Sequence, residues 1–162
     1  MAPTVPPVRY IERTRDYYRA LGYAKDYVWA HFDEVPFARL AGLLAATRIG
    51  LVTTASPLDL GNRDGHGTRH VWSGAVDPAP DKLFTDNVAW DKESTHTDDR
   101  ASFLPIETVV QLASEGVIGG LAARFHGVPT EYSHRKTLEQ DAPQVLARLR
   151  DDGAQAAILC PL

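Results

Sequence analysis

The chain reads as an α/β domain built on a parallel sheet. Helix, glycine and apolar strand follow one another twice in its last third. That alternation marks parallel strands joined by crossover helices. Earlier, a β-branched run opened by a charge, Arg48 to Thr54, adds another buried strand. The expected architecture is one three-layer domain over residues 1–162, loose as far as residue 8 and lacking its C-terminal part.

The elements follow in order. Residues 1–8 are rich in proline. Val8 to Leu21 predicts a helix with Ile11, Tyr17, Tyr18 and Leu21 on one side and Arg13, Arg15 and Arg19 interleaved. Gly22 is its stop. Tyr23, Tyr27, Trp29 and Phe32 continue the aromatic run, whose role in an acidic chain is packing rather than base stacking. Phe37 to Thr47 predicts a second apolar helix through Leu40, Leu43 and Leu44. After the strand at 48–54, Ser56 to Gly67 carries Pro57, Gly61, Gly65 and Gly67 and reads as a loop, where function commonly sits. Short strands are expected at His70–Ser73 and Asn87–Trp90, with more loop from Asp91 to Arg100.

Pro105 suits the first turn of a helix. Ile106, Val109, Val110 and Ala113 form that helix's apolar face, and Gly116 caps it. Val117 to Phe125 is the next strand, with Gly119 and Gly120 allowing close backbone approach. Leu138 to Asp152 is a helix burying Val145, Leu146 and Leu149, with Pro143 either kinking it or marking its first turn. Gly153 caps it, and Ala156 to Cys160 is a third buried strand.

Bulk properties narrow the function classes. The chain has 162 residues, 44% hydrophobic and 23% charged, which suits one ordinary globular domain. Its net charge of −4 argues against a general nucleic-acid binder and against an anionic membrane surface as partner. No apolar run approaches the ~20 residues that span a bilayer. No basic region followed by an apolar stretch opens the chain. The single cysteine, Cys160, leaves no internal disulfide and no cysteine-based zinc site. The expected compartment is the cytoplasm.

Ligands in open α/β sheets bind outside the carboxyl ends of the strands. Thr53, Thr54 and Ser56 follow the first strand; their hydroxyls can bind a substrate carboxylate or phosphate, or simply shape a turn. Arg124 and His126 close the second strand on the same expected edge, and arginine suits fork-like carboxylate binding. His96, in the run Thr95 to Asp99, can move a proton near neutral pH, with Asp98 or Asp99 orienting it; the alternative is a solvated acidic loop. His66 and His70 lie four apart, but the glycines around them predict a loop rather than a metal-binding helix. No metal site is expected. Cys160 is either a redox group or a small core residue.

Several ordered segments resemble the glycine/sarcosine/betaine reductase selenoprotein B family, which includes the selenoprotein subunit of D-proline reductase. They are Val8 to Tyr23 (VRYIERTRDYYRALGY), Trp29 to Asp33 (WAHFD), Leu51 to Ala55 (LVTTA), Phe103 to Ile106 (FLPI), Gln111 to Gly119 (QLASEGVIG), Leu121 to Arg124 (LAAR) and Asp151 to Leu159 (DDGAQAAIL). Together they span nearly the whole chain.

The resemblance implies an oxidoreductase that cleaves a small amine or related substrate reductively, with disulfide or thiol turnover. In that family the last strand leads into a selenocysteine-x-x-Cys motif or its cysteine counterpart. A selenocysteine is therefore expected just after Leu162, with the 162-residue form inactive without it. Cys160 would be its redox neighbour. A pyruvoyl group would sit on a partner subunit, and this chain shows no precursor site for one. A thioredoxin-like reductant or partner reductase subunit is the implied electron source. The family often has a histidine-containing loop near His96, in a form that differs here. The alternative is a small-anion binding protein of the same fold, using Thr53, His96 and Arg124. The uncovered last strand also leaves room for a homo-oligomer.

Overall fold

Strand β1 has six residues, Arg48–Thr53, and every one after Arg48 is buried. A computed structural model describes residues 7, 9–26, 28, 30–35, 38–86, 93–130 and 133–162. Within them the elements run α1 (Tyr10–Ala20), β1, β2 (Trp72–Ala75), α2 (Ile106–Ser114), β3 (Gly120–Leu121), β4 (Arg124–Gly127), α3 (His134–Lys136), α4 (Ala142–Asp151) and β5 (Ala156–Cys160). Short 3-10 turns sit at Leu44–Ala46 and Arg100–Ser102. The chain divides into two units, residues 1–37 and 38–162.

In the second unit the sheet is five-stranded, mixed and mostly parallel. β1 is central. β5 runs parallel along one edge, from Ile49↔Ala156 to Thr53↔Cys160. β3 and β4 run parallel along the other, at Ile49↔Leu121 and Val52↔His126. β2 lies antiparallel outside β4. The expected all-parallel sheet is thus corrected at this strand.

Side chains alternate across a strand, so β1 serves both faces. Ile49 and Leu51 join a cluster with Phe103, Leu104, Ile106, Val109, Ile118 and Phe125. Val52 joins Val145 and Leu149 of α4 on the opposite face. Burial on both faces is why the β1 sequence is almost continuously apolar rather than alternating.

Other expectations shift. The helix at 37–47 is absent: Phe37 lies outside the described residues, and from residue 38 onward the segment holds only the turn at Leu44–Ala46. Leu40, Leu43 and Leu44 are exposed. A short helix depends on an apolar face to pack, and these leucines bury none. The strand expected at His70–Ser73 lies at Trp72–Ala75; the one at Asn87–Trp90 falls outside the described residues.

The strand at 117–125 becomes two pieces. Between Leu121 and His126 the chain advances five residues while β1 advances three, from Ile49 to Val52. The extra pair forms a bulge. The Ala122 N–H still donates to the Ile49 carbonyl at 2.8 Å, while the Ala123 carbonyl accepts from Val76 at 3.1 Å. The bulge thereby lets one segment serve β1 and the β2 side in turn.

The helix expected from Leu138 begins at His134 and passes through a π turn at Thr137–Asp141. Pro143 stands in the first turn of α4. Proline crowds the carbonyl four residues back, here Glu139, and the widened π turn relieves that crowding. Gly22, Gly116 and Gly153 end their helices with φ of +87°, +72° and +71°, the left-handed cap that favours glycine. On α2 the inward residues are Ile106 and Val109, whereas Val110 is exposed. On α4 Leu146 is exposed. β5 is not buried as expected: it is an edge strand, with Leu159 70% exposed.

In the first unit α1 has no buried residue. Its tyrosines pack on each other edge-to-face, Tyr17 on Tyr18 and Tyr18 on Tyr23, with centroids 5.6 and 5.4 Å apart. Arg19 clasps Asp26 through Nε at 2.9 Å and Nη2 at 2.6 Å. Tyr27 and Trp29 lie outside the described residues.

One position tests the packing beneath β3. A Cβ on Gly119 would overlap the backbone of Ala46 and Thr47, which has no rotamer to change. Gly119→Ala is expected to cost about 1–3 kcal/mol. A urea-unfolding midpoint unchanged from the parent would contradict it.

Candidate functional site

The carboxyl ends of β1, β4 and β5 lie side by side, as the register pairs Thr53↔Gly127 and Thr53↔Cys160 require. Just beyond them the chain is stitched together. The Val128 N–H donates to the Thr53 carbonyl at 2.9 Å. The Leu162 N–H donates to Thr54 Oγ1 at 2.9 Å. Trp72 Nε1 donates to the Ala55 carbonyl at 3.0 Å.

Within this edge the hydroxyls differ. Thr53 is buried, and its Oγ1 accepts from the Ala55 N–H at 3.3 Å, which tightens the turn. Ser56 is buried too; it exchanges backbone hydrogen bonds with Phe84, and its Oγ accepts from Asn62 Nδ2 at 3.3 Å. Thr54 is only half-buried, so its side chain is the one of the three that borders solvent. Cys160 is half-buried, and burial pushes its thiol above the usual value. That direction favours the thiol over the nucleophilic thiolate.

His126, next to last in β4, pairs with Val52 directly before Thr53, and the other predicted groups lie apart from this edge. Arg124 opens β4 rather than closing it, so it sits toward the amino end of β1. There it grips Asp152, through Nε at 2.9 Å and Nη2 at 2.7 Å. His96 is exposed, and its partner is Asp98 in its own loop, at 3.7 Å. His70 lies 3.5 Å from Asp64, whose Oδ1 also accepts the His66 N–H at 2.9 Å. Among the described residues no group of three or more His, Cys, Asp or Glu side chains is placed to hold a metal.

His126 forms the centre of a second constellation, on the α4 face of the sheet. The ring is fully buried. Its Nδ1 is 2.9 Å from Ser73 Oγ. Its Nε2 is 3.2 Å from Asp152 Oδ2, near enough for an ion pair but off the line of an ideal hydrogen bond. Arg148 Nη1 donates to the same Ser73 Oγ at 2.9 Å. Desolvation lowers the His126 pKa below its ordinary 6.5; the Arg124 and Arg148 charges add to that shift, and Asp152 opposes it. The ring is therefore neutral at pH 7.

The donor pattern assigns its tautomer. The Asp152 carboxylate near Nε2 can only accept, so the proton of the neutral ring sits on Nε2, and Nδ1 accepts from Ser73 Oγ. Ser73, Arg148 and Asp152 were not singled out by sequence reasoning. They come from an edge strand, a helix and a helix cap, far apart in the chain. The only signal available was the period-2 alternation that puts Ser73 on one face of β2.

A further apolar cleft of about 550 Å³ lies on the other face of β2, lined by Trp72, Phe125, Leu58 and Leu83. Compared with protein-family models, with curated proteins and with solved structures, the chain matches none.

The buried imidazole makes stability depend on pH. Unfolded, His126 titrates near 6.5; folded, it titrates lower. Below 6.5 the unfolded chain binds a proton that the native chain refuses, so stability rises with pH there and is complete above it. Urea midpoints measured between pH 5.5 and 7.5 should show this rise, and His126→Asn should flatten it. An equal slope in both proteins would contradict the assignment.

Proposed function

We propose that the chain belongs to an oxidoreductase of the selenoprotein B type, acting on a small amine or related substrate with disulfide or thiol turnover. One observation supports this best: the carboxyl ends of three parallel strands meet, and the Leu162 N–H is held by Thr54 Oγ1. A selenocysteine next to Leu162 would then stand beside a half-exposed hydroxyl at the ligand-binding edge of the sheet. Selenium at a strand-to-helix turn would face the positive end of a helix, which stabilises its anion. The two apolar clusters on opposite faces of β1 support a three-layer arrangement of this domain.

On this reading Thr54 positions the backbone that carries the redox group. Thr53 and Ser56 shape the turn. Cys160, the register partner of Thr53, keeps its thiol protonated at rest. Electrons come from a thioredoxin-like protein or a partner reductase subunit, and a pyruvoyl group would reside on another subunit. The compartment is the cytoplasm. Among the described residues no helix is long and apolar enough to cross a membrane. The rival small-anion reading joined Thr53, His96 and Arg124. It gains little support, since Thr53 is buried, His96 pairs within its loop and Arg124 is occupied by Asp152.

The deciding test is the nucleotide sequence after the Leu162 codon. UGA followed by an open frame containing x-x-Cys is the expected result; UAA or UAG there sinks the proposal. Dithiol-dependent reduction should then appear in the extended chain and stay at background in the 162-residue form. Thr54→Val should slow the extended form about 3- to 10-fold, the worth of one hydrogen bond.

A further inference from the structure

Ser73 has a position that a merely packed serine does not need. It lies on β2, which among the described residues pairs in the sheet with β4 alone, so those residues leave its other side uncovered. The residue is half-buried, while the imidazole behind it is fully buried. A guanidinium touches Oγ from one side and an imidazole nitrogen from the other, both at 2.9 Å. A carboxylate stands 3.2 Å behind the imidazole. Nucleophile, base and orienting acid in that order are the arrangement that activates a hydroxyl for acyl transfer.

We propose that Ser73 and His126, with Asp152 as positioning residue, form an acyl-transfer site for an activated ester or thioester of a small acid. Ser73 Oγ attacks the acyl carbon. As the new C–O bond forms, the hydroxyl proton passes to His126 Nδ1. The resulting oxyanion faces Arg148, whose fork of N–H donors already reaches Oγ. Collapse breaks the bond to the leaving alkoxide or thiolate, which takes the proton from Nδ1. Water then attacks the acyl-serine by the same path, releasing the acid and restoring the hydroxyl. No oxidant or reductant is consumed, so this chemistry is separate from that proposed at the Thr54 edge.

His126 is suited to the base role because it is neutral, is held at Nδ1 by Ser73 and has the Asp152 carboxylate 3.2 Å from Nε2. Asp152 is held in turn by Arg124, which donates to Oδ1 from Nε and Nη2 and, at 3.2 Å, from Nε to Oδ2, the oxygen that faces the ring. The positive charge left over once Arg124 and Asp152 cancel is that of Arg148. It stands at the nucleophile, where negative charge develops, and favours a substrate whose acyl group is itself anionic.

The experiment is labelling with a fluorophosphonate, followed by peptide mapping, alongside hydrolysis of p-nitrophenyl acetate. Expected are a single adduct on Ser73 and turnover that falls roughly 100-fold or more in Ser73→Ala. Arg148→Gln, at a half-buried helix position, should label about 10- to 100-fold more slowly with an unchanged circular-dichroism melt. Asp152→Asn should displace the pH–rate profile rather than only scale it. An adduct at another residue, equal labelling of Ser73→Ala, or a folded parent left unlabelled overturns the proposal.

Discussion

The structure depends on the burial of β1 on both faces and pairing along both edges. Five of its six residues are out of water. A strand so enclosed must satisfy its backbone groups through its neighbours, because no water reaches them. β5 provides this on one edge and the β3–β4 segment on the other. The helices follow: α2 covers Ile49 and Leu51, and α4 covers Val52. Removing large side chains from such a strand leaves cavities as well as losing apolar burial, about 2–5 kcal/mol for each.

The same constraint explains the irregularities nearby. The segment opposite β1 must also meet β2, and a two-residue bulge after Leu121 reconciles the demands. Pairing β2 antiparallel on β4 then places Ser73 level with His126 and Trp72 level with Gly127. The Trp72 ring meets Phe125 edge-on at 5.3 Å on the α2 face, while Ser73 turns to the α4 face. One strand thus contributes an apolar anchor and a polar group to opposite sides.

Around His126 the chemistry follows from dehydration. A fully buried imidazole resists protonation, which leaves Nδ1 free to accept from Ser73. Arg124 neutralises Asp152, which keeps an isolated carboxylate from facing a dry interior. Ser73 supplies the hydrogen bond at Nδ1. The Thr54 edge differs in kind: it is built from hydroxyls and carbonyls and lies where parallel strands deliver their chain ends. The two sites are centred on neighbouring register positions of one sheet and share no described residue.

Some of this was legible in the sequence. Arg48–Thr53, Ile106–Ser114 and Ala156–Cys160 were readable because local pattern decides them: a β-branched run, a proline start and a glycine cap. Gly116 and Gly153 marked their stops because a left-handed residue is a local requirement. The helix expected over 37–47 failed because an apolar stripe folds only against a surface, and Leu40, Leu43 and Leu44 meet none. The exposure of β5 was equally hidden, since an apolar strand reads the same at a centre or an edge. Thr53, Thr54, Ser56 and Cys160 were placed at one edge by the rule for parallel strands, and they lie there. Arg124 was assigned to that edge on the assumption of an unbroken strand, which the bulge removes. Ser73, Arg148 and Asp152 come together only through sheet register and helix packing. Those are set by long-range contacts, and no spacing along the chain encodes them.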